Sequence, residues 1–234
     1  MKKTPTYSLR VLARLMGYPD ADLRAALPAL REALHAEGAV AAKRLQGLDT
    51  LIDSLAARDA FEVETDYVEL FDRGRATSLN LFEHVHGDSR DRGQAMVDLL
   101  QTYEQGGLFL DPSQANREMP DYLPVVLEFV STQPPAQAIG FMSEVAHILN
   151  AIYAALLKRR SLYAHVLGAA LELGQQPIEA VEVPEDEALD AAWAEPDAFG
   201  GCTSKGQQRP DQPQPIQIVR RQAQGAQHNR GAAA

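Results

Sequence analysis

Tyr67-Val-Glu-Leu-Phe-Asp-Arg-Gly-Arg-Ala-Thr-Ser-Leu-Asn-Leu-Phe-Glu-His-Val-His-Gly-Asp-Ser-Arg-Asp-Arg-Gly93 packs aromatics, acids, arginines and two histidines into one short stretch. A helix that only supports a core shows apolar residues on one side and interchangeable Lys, Glu, Gln and Ala on the other. The residue types here are costly to bury and particular in their hydrogen bonding. Both flanks keep a helical rhythm. Asp59, followed three residues later by Glu62, has the pattern of a capping box that opens a helix through Tyr67 and Phe71. After an Arg73–Ser78 loop, a short helix is expected over Leu79–Val85. Another should run from about Ser89 to Gln105, ended by Gly106-Gly107.

Upstream, Leu9, Leu12, Leu15 and Met16 form one stripe, closed by Gly17-Tyr-Pro19. Leu23, Leu27, Leu30 and Leu34 form a second, in which Pro28 should kink or restart the helix. Leu45, Leu48, Ile52 and Leu55 form a third. Downstream, Asp121 is a candidate cap for a helix that holds Leu123, Leu127 and Val130 and stops at Pro134-Pro135. The longest helix, about Ala136 to Arg160, keeps Ile139, Met142, Val145, Leu149, Ile152 and Leu156 in register. A last one lies around Leu162–Leu173. Strand alternation is nearly absent and no repeat has a fixed period.

The fold class is therefore all-α, a single helical bundle domain over residues 1–175. Residues 176–199 read as a connection, in which Asp186–Ala194 brings Trp193 back onto the bundle. The Gln/Gly/Pro-rich tail over 200–234 cannot offset its ordering entropy and is expected to be disordered, with Ile216-Gln-Ile-Val219 its one apolar island.

A chain of 234 residues can bury a real core. No run approaches the ~20 apolar residues of a membrane span. The start, Met1-Lys-Lys-Thr-Pro, has the charge of a secretion signal, but Arg10 and Arg14 interrupt its apolar centre, so a cytoplasmic location is expected. The single cysteine, Cys202, excludes an internal disulfide and any multi-cysteine metal site. The net charge is −10; from Asp197 onward the chain has five basic and two acidic residues, which leaves −13 on the first 196. Such a body repels nucleic acid. It either steers a basic peptide toward itself or serves only solubility, and composition leaves both open.

The metal candidate is Glu83-His84-Val85-His86 with Asp88. Imidazole and carboxylate suit zinc or iron. Residues two apart on a helix point about 200° apart, however, unlike the i, i+4 pair of a helical site. His84 and His86 fit hydrogen bonds to carbonyls or neighbouring acids better. Cys202 lies where nothing would lower its pKa, and Ser78 and Ser89 read as helix caps. The sequence calls for no catalytic residue, metal or cofactor. Arg75, Arg90 and Arg92 stand near Asp72, Glu83, Asp88 and Asp91, and are expected to form ion pairs that fix the loop. Gly93 is expected to permit close helix approach. Tyr67, Leu70, Phe71, Leu79 and Phe82 should contribute partly to the core, and some could line a groove.

Pro120-Asp-Tyr-Leu-Pro-Val-Val-Leu-Glu128 is a second unusual run. Together the two segments resemble the molybdenum-enzyme assembly chaperones, and within them the nitrate reductase branch, the NarJ-type delta-subunit chaperones. The resemblance covers roughly Tyr7 to Phe199. One departure is Met119 where Leu is expected before Pro120-Asp121, a volume-conserving swap.

The resemblance implies an all-helical, non-catalytic protein; an acidic bundle with a disordered tail is most simply a monomer. Its partner would be the catalytic (alpha) subunit of respiratory nitrate reductase, bound through its N-terminal segment. The apo-enzyme would be held until molybdenum cofactor and iron–sulfur cluster are inserted, before membrane anchoring. Asp72, Glu83, Asp121 and Glu128 become candidate acidic contacts, and Tyr67, Phe71, Phe82, Tyr122 and Leu123 candidate groove residues. Leu70, Leu79, His84 and His86 complete the candidate client-binding set. The client helix would lay its apolar face in the groove with ~8–12 kcal/mol of affinity, and His84 or His86 could make release pH-sensitive. Three rivals remain: a chaperone that reads a twin-arginine leader of another molybdoenzyme, a helical metal-dependent hydrolase using His84, His86 and Asp88, and a structural adaptor without maturation function.

Overall fold

The stripes at Leu9, Leu12, Leu15 and Met16 close into α1 (Thr6–Met16), which is buried between three later helices. The computed structural model describes residues 4–86, 91–110 and 119–182. Trp193, the Asp186–Ala194 segment, the 200–234 tail, Asp88, Ser89 and Arg90 lie outside them. The remaining helices are α2 (Ala21–Glu37), α3 (Ala42–Ala57), α4 (Ala60–Phe71), α5 (Leu81–Val85), α6 (Asp91–Gln105), α7 (Leu123–Thr132), α8 (Pro135–Lys158) and α9 (Ala164–Leu173). A 3-10 turn, Arg75–Thr77, sits between α4 and α5. The described residues hold no strand, only one antiparallel bridge between Asn80 and Tyr122. The all-α expectation holds.

α1 packs on α7, α2 and α9, and α8 packs on α9 and α7. α8 also lies against α5 and the 3-10 turn. By length and composition α8 is apolar enough to cross a bilayer, which corrects the expectation that no such run exists. Met142, Leu149, Ile152 and Leu156 are fully buried along it, the pattern of a core helix.

Pro28 does not restart α2, which runs unbroken from Ala21 to Glu37. The proline is exposed, so water can satisfy the carbonyl one turn earlier that loses its N–H partner. Asp20 caps this helix by accepting the Leu23 N–H at 2.7 Å. Glu37, the last residue of α2, reaches across to α1. Its carboxylate accepts the Tyr7 and Ser8 N–H groups at 3.1 and 2.6 Å, replacing a cap that Pro5 cannot supply. α3 and α9 approach at Gly47, where a Cβ would lie 2.3 Å from His165 Nδ1. Gly93 has no such role: a Cβ there would meet nothing within 4 Å.

Candidate functional site

The Asp59 cap forms as the sequence implies, its carboxylate accepting the Phe61 and Glu62 N–H groups at 2.9 and 3.3 Å. It starts α4 so that Val63, Tyr67 and Phe71 face inward. Tyr67 and Phe71 are each 4% exposed. The Tyr67 hydroxyl donates to the Met16 carbonyl at 2.7 Å and lies 3.2 Å from the Tyr122 hydroxyl. Burial pushes the Tyr67 phenol far above its ordinary range. Its ring contacts Tyr18, Phe71 and Tyr163, with centroids 5.6, 4.8 and 6.1 Å away.

Beyond α4 the chain turns over Arg159, the residue that follows α8. That guanidinium donates to the Leu70 carbonyl at 3.3 Å and to Thr77 Oγ1 at 3.2 Å, and the buried Thr77 hydroxyl itself donates to the Leu70 carbonyl. Sequence spacing points to Arg75, Arg90 and Arg92 for this loop and gives no signal for Arg159, which lies 82 residues downstream of Thr77.

The two unusual segments are stitched to each other. The Leu81 N–H donates to the Asp121 carbonyl at 3.0 Å, and the Leu123 N–H to the Leu79 carbonyl at 2.8 Å. Asp121 Oδ2 accepts the Phe82 N–H at 3.0 Å. Asp121 therefore caps α5; α7, which follows it in sequence, has no side-chain cap. The residue is fully buried, and burial raises its carboxyl above the ordinary range. The Phe82 N–H and Arg92, whose Nη2 is 4.0 Å away, act the other way. Tyr103 steadies the same segment by donating to the Pro120 carbonyl at 2.7 Å.

Glu83 gathers the neighbouring polar groups. Its carboxylate accepts the Ser78 hydroxyl at 2.5 Å and lies 3.4 Å from Arg92 Nη2. Arg75 donates to its backbone carbonyl at 3.2 Å, where a carboxylate partner was expected. Ser78 also accepts the Asn80 N–H at 3.3 Å, a local cap. His84 Nε2 donates to the Ser78 carbonyl at 2.9 Å. His86 stands edge-on to Phe82, ring centroids 5.6 Å apart. Among the described residues no three His, Cys, Asp or Glu side chains gather closely enough to hold a metal ion.

The candidate set thus divides by depth. Tyr67, Phe71, Leu79, Asp121 and Leu123 are interior; Leu70, Phe82, Glu83, His84, His86 and Tyr122 are half-buried; Asp72 and Glu128 are exposed. The interior five shape the surface from beneath. A hollow of about 590 Å³ is lined by Tyr153, Leu157, Ile178 and Val181 among others, and by none of the candidates.

Residues 18–167 match the family described as nitrate reductase delta subunit. The chain belongs to that family. The delta-subunit resemblance read from Tyr67–Gly93 and Pro120–Glu128 is borne out at this level. The nitrate reductase molybdenum cofactor assembly chaperone NarJ of Escherichia coli K12 is 41% identical over 197 residues, covering 80% of this chain and 82% of NarJ. The probable nitrate reductase molybdenum cofactor assembly chaperone NarJ of Bacillus subtilis is 32% identical, covering 69% of this chain and 86% of its own. The fold is shared with a crystal structure of an Archaeoglobus fulgidus protein assigned as a redox enzyme maturation protein. The TM-score is 0.52 at 18% identity, over 73% of this chain and 94% of that one. The E. coli and B. subtilis relatives are named as chaperones, and the non-catalytic reading of this delta-subunit chain stands with them.

Proposed function

We propose that this delta-subunit chain is an assembly chaperone for respiratory nitrate reductase. It binds the N-terminal segment of the catalytic subunit in the cytoplasm as a monomer. It holds the apo-enzyme until the molybdenum cofactor and iron–sulfur cluster are in place, and so delays membrane anchoring. The observation that carries the reading is the 41% identity to a nitrate reductase molybdenum cofactor assembly chaperone over most of both chains. The charge of −13 on residues 1–196 supports a basic client segment. The stitched 79–83 and 120–123 segments support a rigid platform, because a preformed surface loses less entropy on binding. Of the candidate set, Leu70, Asp72, Phe82, Glu83, His84, His86, Tyr122 and Glu128 have surface to offer.

Calorimetry with a peptide from the catalytic subunit's N-terminus tests the binding step, with a twin-arginine leader peptide as comparison. Micromolar or tighter binding of the first and none of the second is expected. Nitrate reductase purified from cells that lack this protein should be poor in molybdenum; full loading would overturn the assembly role.

A further inference from the structure

Tyr67 and Phe71 are interior, and the flank of α4 beside them is partly open. Phe61 and Val68 stand seven residues apart there, on one face of the helix. Phe61 is 77% exposed, and Tyr18, from the turn after α1, is 42% exposed beside it. With Glu64, Glu69 and Arg73 they line a shallow groove of about 200 Å³. An aromatic ring left so open loses the burial that ordinarily holds such a residue in place.

Glu64 and Glu69 stand on the rim with Arg73. The element they belong to, Asp59 to Asp72, has six carboxylates and no Lys or Arg. Arg58, which pairs with Asp66 at 2.7 Å, and Arg73, which pairs with Glu69 at 3.1 Å, offset only part of that charge. Glu64 is oriented by the Tyr18 hydroxyl, which donates to it at 2.9 Å. Apolar floor and carboxylate rim together fit a short helix with apolar residues on one face and Lys or Arg on its flanks.

We infer that the open flank of α4, floored by Phe61, Val68 and Tyr18, is where a basic amphipathic helix of the client docks. The inference rests on the client-binding reading above. It assigns that reading's apolar contacts to residues outside the sequence-derived candidate set. Tyr67 and Phe71 act from beneath, by fixing α4 and Tyr18 in place.

The test uses the full chain and the N-terminal peptide of the nitrate reductase catalytic subunit. Phe61→Ser should weaken binding about tenfold or more. Phe109→Ser, at an equally open ring elsewhere, should leave it unchanged. Glu64→Gln with Glu69→Gln should weaken binding and flatten its dependence on salt. A photo-crosslinker at position 61 should capture the peptide, and one at position 109 should not. Since Phe61 is exposed, the variants should keep the wild-type melting temperature, which separates lost docking from lost fold.

Full-strength binding by Phe61→Ser would overturn the site while leaving the chaperone reading intact. No binding by the unaltered chain would overturn both. If the unaltered chain is a dimer by light scattering and Phe61→Ser is a monomer, the face is a self-interface, and the inference fails.

Discussion

Asp121 holds the N–H of Phe82, 39 residues earlier in the chain, at 3.0 Å, and so closes one signature segment onto the other. Asp121→Ala should cost about 1–3 kcal/mol, because it leaves the Phe82 N–H without its acceptor. Asp121→Asn keeps an oxygen for that N–H and removes the charge. The folded carboxyl is raised above its ordinary 3.8, burial being the main cause. A group raised in this way stabilises the fold fully below its unfolded pKa and loses that contribution as pH rises through the folded value. The urea midpoint of wild type relative to Asp121→Asn should therefore move in favour of wild type as pH falls from about 7 toward about 4. A difference constant across that range would remove the charge from the account.

That bond also marks where a sequence stops being informative. The helices were legible because their apolar stripes repeat locally, and Asp20 and Asp59 were legible caps because each bonds within its own helix. Asp121 resembles a cap for α7 by the same local rule, yet its acceptor role is spent on α5. No spacing in a sequence encodes a bridge such as Asn80 to Tyr122. The candidate site was legible as a set of unusual residues but not by depth. The i, i+4 aromatics Tyr67 and Phe71 satisfy core and groove equally well on paper, and only the packing of Tyr18 and Tyr163 around them decides. Phe61 and Val68 form a second stripe, one exposed and the other half-buried, and that difference lies beyond the reach of periodicity.

Glu37 caps a helix other than its own, so its removal should be felt at a distance. Glu37→Ala strips the acceptor from the Tyr7 and Ser8 N–H groups. A lost cap costs about 0.5–2 kcal/mol. Urea denaturation should show that loss. Hydrogen exchange should localise it, with faster exchange in the first turn of α1 and little change at the start of α2, which keeps its Asp20 cap.

Gly47 tests close packing against helix propensity. Propensity alone makes alanine about 1 kcal/mol better inside a helix. Here the new methyl would sit 2.3 Å from the His165 ring, a clash that cannot be relieved without moving the ring. Overpacking of this kind costs about 1–3 kcal/mol, so Gly47→Ala should destabilise. In a His165→Ala background the obstacle is gone and the same change should stabilise. A sign reversal in the double-mutant cycle is the expected outcome, and additive effects would rule out the contact.

α6, α8 and α9 end alike, and only one of them ends on the residue that the geometry favours. After α6 the Leu108 N–H returns to the Tyr103 carbonyl and the Gly107 N–H to that of Glu104, at 2.9 and 3.1 Å, with Gly107 at φ +83°. After α8, Ser161 returns to Leu156 and Arg160 to Leu157, with Arg160 at φ +53°. After α9, Gln176 returns to Leu171 and Gln175 to Glu172, with Gln175 at φ +56°. The left-handed conformation costs a side-chain-bearing residue about 1–2 kcal/mol, and glycine returns part of that gain as backbone entropy. Arg160→Gly and Gln175→Gly should each stabilise by about 0.5–1 kcal/mol. Gly107→Ala, where a Cβ meets nothing within 4 Å, should lose about as much through backbone strain alone. Thermal melts of the three variants should therefore move in opposite directions, upward for the two glycine replacements and downward for the alanine. A fall for Arg160→Gly or Gln175→Gly would show that the replaced side chain contributes more to stability than its strained backbone costs.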